Sequence, residues 1–409
     1  MTADAIARRW YVRRLDERSA WLVLSAVAGV GPRTCGALVR RFGGAARAVA
    51  ASGAELASCP GLGIARGGAL ARDLAAVDPR AVETAALEAG LRVTTPADAD
   101  YPEVVRASPD PPAALYVRGT LPRVGRPDPT TGRAADSGPA RLSPPSAPAA
   151  AVPVAVAIVG TRAASPYGLR IARRLAEDLA RAGVVVVSGL ARGIDGAAHA
   201  GALAGGGFTI GVLGSGVDVV YPPEHHALSG EIAAHGALVS EHPPGTPPHP
   251  GHFPRRNRIV AALCAAVVVV EAPLESGALV TARLAADLGR DVLAVPGPVD
   301  RGGHAGCHRL LRDGATLVET ADDVLESLGL LDPRARARGA AGPASDALPS
   351  PAGPAGVVWG ALDLDDARDA DDLARRTGLS PDAVARALTM LELEGRVARV
   401  VGAGFLRTR

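Results

Sequence analysis

Between residues 154 and 320 seven short apolar runs follow one another, and they restrict the fold more than any other feature of the chain. They are VAVAIVG (154–160), GVVVVSG (183–189), FTIGVLG (208–214), ALVSE (237–241), AAVVVVEA (265–272), DVLAVPG (291–297) and TLVET (316–320). Each is strand-length, β-branched and apolar on both faces, which is the pattern of parallel strands covered by helices. Helical stretches such as GLRIARRLAEDLARAG (168–183) and ALVTARLAADLG (278–289) separate them, and several runs end in Gly or Ser just before a helix. The expectation is an α/β fold: an extended, Rossmann-like, doubly wound and mostly parallel sheet. Its ligand crevice should lie at the carboxyl ends of the strands.

A chain of 409 residues has room for two or three domains. Residues 122–151 and 333–356 are dense in Pro, Gly, Ser and Ala and poor in large apolar side chains, so they read as flexible linkers. They leave three pieces: 1–121, 152–332 and 357–409. The first is mostly helical. Within it VAGVGPRTCGALVRRFG (27–43) and CPGLGIARGGAL (59–70) share an apolar-Gly-apolar-Gly turn that opens a helix, the signature of a helix-hairpin-helix or SAM-like domain. Phosphate contact and an ordinary glycine-capped αα turn both fit that turn. The stretch DADYPEVVRASPDPPAALYVRG reads as an extended connector into the sheet domain. The last piece has a helix, a TGLS turn, a second helix and two short strands, which predicts a winged helix. Its second helix carries Asp382, Glu392 and Glu394 against Arg386, a poor match for phosphate, so a protein-contact or regulatory use competes with DNA reading.

The formal net charge is only +2, and the 44 basic residues are all arginine. Charge balance alone therefore does not predict a nucleic-acid binder, and any basic surface must come from local clustering. Cys35, Cys59, Cys264 and Cys307 show no metal-ligand spacing, so no metal is expected, and Cys264 reads as a small apolar filler beside a strand. Without a secretory signal or an apolar run near the roughly 20 residues of a membrane helix, the chain reads as a cytoplasmic protein with no membrane contact.

The turns after the strands carry the chemistry. GTRAASPYG, SGLARGIDGAAH, GSGVDVVYPPEH, SEHPPGTPPHPGHFPRRNR and EAPLESGALVTA each offer Gly or Ser for backbone N–H donation. Three of them add arginine: Arg162, Arg192 and the Arg255, Arg256, Arg258 group. Helix N-termini and guanidinium groups converging on one crevice make an anion site. Neither a Gly-x-Gly-x-x-Gly turn with an acidic partner nor a Walker A motif is present, so no dinucleotide or P-loop nucleotide cofactor is expected.

The blocks GTRAASPYG, SGLARGID, GSGVDVVYP, SEHPPG, FPRRNRIVAAL, VVVEAPLESGALVTA and GRDVLAVPG, in this order, resemble the DprA/Smf family of DNA-processing proteins of bacterial natural transformation, over almost the whole chain. The resemblance implies a non-catalytic, homodimeric, single-stranded-DNA-binding recombination mediator that protects incoming strands and helps load RecA recombinase. The residues that would contact DNA are Gly160, Arg162, Ser188, Gly189, Arg192, Phe253, Arg256, Asn257, Arg258, Ser276, Gly277 and Thr281. Two departures stand out: His308 takes a position where many relatives carry Asn, and Leu311 one where they carry Ile. The 122–151 segment looks like an insertion before the first sheet strand.

Several of these residues have competing structural readings. At about 100° per residue, Arg255 and Arg258 share a helix face more closely than either does with Arg256. One of Arg256 and Arg258 is expected to tie to a carboxylate such as Glu271, and Arg255 reads as a surface charge. Asp195 reads as a helix N-cap, His199 as a packed residue, and Thr281 equally as packing or contact. Tyr167, Tyr221 and Phe253 all read as lying on crevice loops, with Phe253 the preferred base-stacking candidate beside a core-packing reading. The enzymatic alternative is a nucleotide-cleaving phosphoribohydrolase of the related Rossmann group. It would need a PGGxGTxxE run where this chain has EAPLESGALVTA.

Overall fold

A computed structural model describes residues 15–126, 152–300, 302–331, 351–363, 367–400 and 404–407. The chain divides into two compact units, Met1–Ala163 with Ile171–Leu330, and Ala164–Arg170 with Leu331–Arg409. Most of both expected linkers, 127–151 and 332–350, lies outside the described residues.

The first unit opens with helices α1 (Glu17–Ala26), α2 (Pro32–Phe42), α3 (Ala45–Ala50), α4 (Gly53–Ala57), α5 (Gly63–Ala76) and α6 (Pro79–Glu88). Local chemistry sets their ends. The Asp16 carboxylate accepts from the Ser19 N–H at 2.8 Å, and Ser52 with Glu55 forms a capping box. Both glycine-turn segments are helix–turn–helix hairpins, α1–α2 and α4–α5, around a core that includes Leu24, Leu38, Leu56 and Leu74.

The rest of the unit is one nine-stranded sheet. Its strands are β1 (Arg92–Thr94), β2 (Leu115–Gly119), β3 (Ala155–Val159), β4 (Val185–Ser188), β5 (Thr209–Val212), β6 (Gly236–Ser240), β7 (Ala266–Val269), β8 (Asp291–Ala294) and β9 (Thr316–Leu317). Their order is β1-β2-β6-β5-β4-β3-β7-β8-β9. All seven sequence-predicted strands form, and β6 through β9 in that order pair in parallel. The two remaining strands correct the expected organisation. Residues 92–94 and 115–119 lie in the piece read as a separate helical domain and its connector, yet β2 pairs antiparallel with β6 and β1 with β2. The helical region and the sheet are therefore one compact unit. Val124 is buried in the sheet's core and Gly125 bridges to Val154, so the first linker cannot begin at 122.

The chain leaves β3 towards β4, β5 and β6, then returns to β7 on the other side of β3. That reversal opens a crevice beyond the carboxyl ends of β3 and β7. The connecting helices that matter here are α9 (Ile194–Ala204), which follows α8 (Pro166–Arg181), then α11 (His252–Leu263) after α10 (His226–His235), and α12 (Gly277–Asp287). Strands β3, β4, β5, β6 and β7 are buried along their whole length. Each valine or isoleucine in them contributes about 1.5–3 kcal/mol by leaving water, which makes the sheet a firm base for the loops it carries.

In the second unit, helices Gly353–Ala361, Ala370–Thr377 and Pro381–Leu393 pack around Val358, Trp359, Leu373, Val384, Leu388 and Leu391, with a hairpin of β10 (Val397–Val400) and β11 (Gly404–Arg407). This is the expected winged helix. It begins earlier than residue 357, because residues 353–356, read as linker, form the first turn of a helix that buries Ala355.

Candidate nucleic-acid interface

A cavity of about 580 Å³ occupies the crevice. The end of β3 supplies Gly160 and Arg162, the turn after β4 supplies Gly189, helix α11 supplies Phe253, Arg256 and Asn257, and α12 supplies Gly277 and Thr281. Eight of the twelve sequence-predicted positions therefore line one space. The other four do not.

Arg162 is exposed, and its guanidinium stands over the Phe253 ring, 5.0 Å from the centroid. Tyr221 sits beside it, 5.7 Å from Phe253 between centroids. A guanidinium over an aromatic face gains from the ring quadrupole and leaves its edge N–H groups available. The pair thus places a cation and a stacking platform at the same mouth. Tyr167, the third aromatic considered, lies in the first turn of α8 rather than in a loop, and it belongs to the other unit.

Arg256 is a different kind of arginine. It is 4% exposed, and it donates to the Val212 carbonyl at the end of β5. Burial pulls its pKa down, while the nearby Asp195 carboxylate opposes that shift. Desolvation likewise raises the pKa of Asp195, countered by Arg256. The guanidinium presses so closely on Gly189 that a Cβ there would collide with it. Arg256 is thus both a wall of the crevice and a structural counter-charge.

Asp195 does not cap a helix. Gly193 holds the N-cap position of α9, and Asp195 sits in the first turn. Its carboxylate accepts from the Gly189 N–H at 3.1 Å and from the Ala191 N–H at 3.4 Å. Between them Leu190 is fully buried with φ of 56°, a left-handed conformation that a bulky side chain adopts only when its surroundings enforce it. The carboxylate supplies that enforcement. One consequence is a correction: the Gly189 amide, expected as a donor to ligand, is already spent on Asp195.

The remaining predicted contacts are also engaged elsewhere. Ser188 is buried and donates to the Ile158 carbonyl at 2.7 Å, tying β4 to β3. Arg192 forms an exposed ion pair with Glu224, whose carboxyl is lowered to about 2 by that hydrogen bond. Ser276 caps α12 by accepting from the Ala278 N–H at 3.3 Å. Arg258 pairs with Glu241 and donates to the Asp110 carbonyl at 2.7 Å, outside the crevice. The carboxylate tie expected for the arginine cluster exists, but its acid is Glu241. Glu271 is instead buried close to His304 and Gly303.

His199 is fully buried, as expected of a packed residue: its Nδ1 is 2.7 Å from the Thr209 hydroxyl, and burial pushes its pKa down to about 3. Asn257 donates to the Gly277 carbonyl at 3.3 Å and so fixes the start of α12 against α11. At the neighbouring corner, His308 contacts the Gly297 carbonyl at 3.1 Å through Nε2. Two groups were not legible as crevice features: Asp195 in its ordering role, and Pro248 with Pro250, which line the mouth. Asp195 orders a turn only four to six residues before it, but its burial beside Arg256 comes from a distant helix.

The fold and the crevice define a class: an extended Rossmann sheet with arginine and backbone groups at its switch point in place of a dinucleotide turn, carried on the same chain as a winged helix. Residues 146–329 match the family model for DNA recombination-mediator protein A, and residues 342–403 match that for the DprA winged helix domain. Protein Smf of Escherichia coli is 39% identical over 321 residues, covering 77% of each chain. The DNA processing protein DprA of Mycobacterium tuberculosis is 47% identical over 258 residues, a match that spans 63% of this chain and 64% of that relative. The X-ray structure of DNA processing protein A from Streptococcus pneumoniae superposes with a TM-score of 0.58 at 29% identity, covering 75% of this chain and 95% of that one. The chain belongs to the DprA/Smf family.

Proposed function

We propose that this protein binds single-stranded DNA in the β3–β7 crevice and acts there as a recombination mediator, without catalysing a reaction. The observation that carries the reading is the Arg162–Phe253 pair at the crevice mouth, 5.0 Å apart, with Arg256 behind it. A flexible strand is gripped by charge on its phosphates and by stacking of its bases, and this pair offers both. A duplex hides its base faces, so the same pair favours a single strand. Family membership supports the finer parts of the reading: protection of incoming DNA during natural transformation, loading of RecA recombinase, a homodimeric state and a cytoplasmic location. No helix among the described residues is long and apolar enough to cross a membrane.

The test is a gel-shift titration with single-stranded and duplex oligonucleotides over a range of salt. A mediator prefers the single strand and loses affinity with log salt at about −0.7 per phosphate contacted. Equal affinity for duplex, or no binding, overturns the reading. Release of free base from a nucleoside monophosphate would establish the phosphoribohydrolase activity instead.

A further inference from the structure

Helix α11 presents its residues to two different spaces. Phe253, Arg256 and Asn257 line the crevice, while His252, Arg255 and Arg258 line a second cavity of about 1250 Å³. Pro254 lines both, so the two spaces adjoin across a single helical turn. The facing wall of the larger cavity is the glycine turn between α1 and α2, together with Arg33.

We propose that this second cavity is a subsite for the same DNA strand, in which the segment leaving the crevice crosses Pro254 and its phosphates are held between Arg255 and Arg33. The inference rests on the crevice being a single-stranded-DNA site, and it extends the track onto the N-terminal hairpin. Arg255 and Arg33 are both exposed, and neither has an ion-pair or hydrogen-bond partner among the described residues. Arg255 approaches the hairpin turn closely: a Cβ on Gly31 would lie 3.3 Å from its Nη2. Two guanidinium groups from separate elements thus keep their donors unspent on one open groove, which suits phosphate oxygens.

The carboxylates around the groove leave that charge largely in place. Glu241 is taken by Arg258. Asp110 lies beside Gly36 with the Arg40 guanidinium as a close neighbour. Asp287 is the last residue of α12 and has no ion pair with either free arginine. The cavity exceeds the roughly 300 Å³ at which ligand sites begin, so it admits at least a nucleotide. His242 and His252 stack on its wall with centroids 4.1 Å apart, and burial holds His242 down to about 4, so the His242 ring adds no positive charge near neutral pH.

The experiment compares an oligothymidylate of six residues with one of twenty, using fluorescence anisotropy on the full chain and salt titration. The Arg33→Gln/Arg255→Gln double variant should bind the 20-mer about tenfold more weakly, with its salt slope shallower by about 1.4, the value for two lost single-strand phosphates. Its affinity for the 6-mer should stay at the wild-type value. An unchanged 20-mer affinity and slope overturns the proposal, and so does an equal loss for both lengths, which would mean the substitutions act through the crevice. Arg162→Ala reports the crevice separately, because it should weaken both lengths. If the wild-type protein binds neither oligonucleotide, the crevice reading fails and this one with it.

Discussion

In the crevice, Arg162 stands over an aromatic ring with no ion-pair partner among the described residues; in the winged helix, Arg368, Arg375 and Arg376 all converge on Asp372. Both regions carry clustered arginines. The clustered arginines differ in whether carboxylates already hold their donors, although Arg399 of the winged helix also stands over a ring, Phe405, with no ion pair among the described residues. The third helix of the winged domain, Pro381–Leu393, adds exposed Asp382 and Glu392 with exposed Glu394 at its C-cap, which repels phosphate further. Unspent guanidinium groups on a cavity, rather than the density of arginine, are where we propose that an anion binds.

Arg256 lines the crevice yet is structurally committed. Arg256→Ala would leave the buried Asp195 carboxylate without its nearby guanidinium and the Val212 carbonyl without its donor, and a buried polar group left unpaired costs about 1–3 kcal/mol. Urea unfolding should show that loss, and a stability near wild type would mean the Leu190 turn holds without it. Arg162→Ala should do the reverse. Single-strand affinity should fall about tenfold, equivalent to about 1.4 kcal/mol, with no change in the unfolding midpoint. An unchanged affinity would relocate the site.

Acid separates the two regions on a smaller scale. All nine histidines of the chain lie between residues 199 and 308, in the sheet-bearing unit. His199 and His242 have folded pKa values lowered to about 3 and about 4 by burial, against about 6.5 when unfolded. The unfolded chain therefore binds more protons as pH falls below 6.5, and stability is lost from there downward. By pH 5.5 the sheet unit should lose about 1 kcal/mol per histidine, while the winged helix is unaffected by this mechanism. Unfolding followed at pH 7 and 5.5 with a probe in each unit checks the difference. Arg376→Ala should have the smallest effect. Its ion pair with Asp372 is exposed, so the loss should be below about 0.5 kcal/mol and DNA affinity should not change. A clear fall in affinity would break the contrast between the two regions.

Much of this was legible before any coordinates. The seven β-branched runs located the parallel strands, the glycine turns located the hairpins, and helical spacing alone put Arg255 and Arg258 on a face apart from Arg256. The short strands at 92–94 and 115–119 carry no strand signal in the sequence. Three and five residues next to a Pro-rich stretch carry too little periodicity, and their place at the sheet edge depends on β6, more than a hundred residues later.

Sequence by itself determined the strand–helix alternation, the crevice loops and the family, because these follow from periodicity and from motifs only a few residues long. Tertiary structure alone decided which charges remain available. Arg192 found Glu224, Arg258 found Glu241, and the Gly189 amide found Asp195, whereas Arg162 and Arg255 found no carboxylate among the described residues. A donor's availability depends on which acceptors folding brings within about 3 Å. Most of those acceptors lie on other elements, so no window along the chain contains the answer.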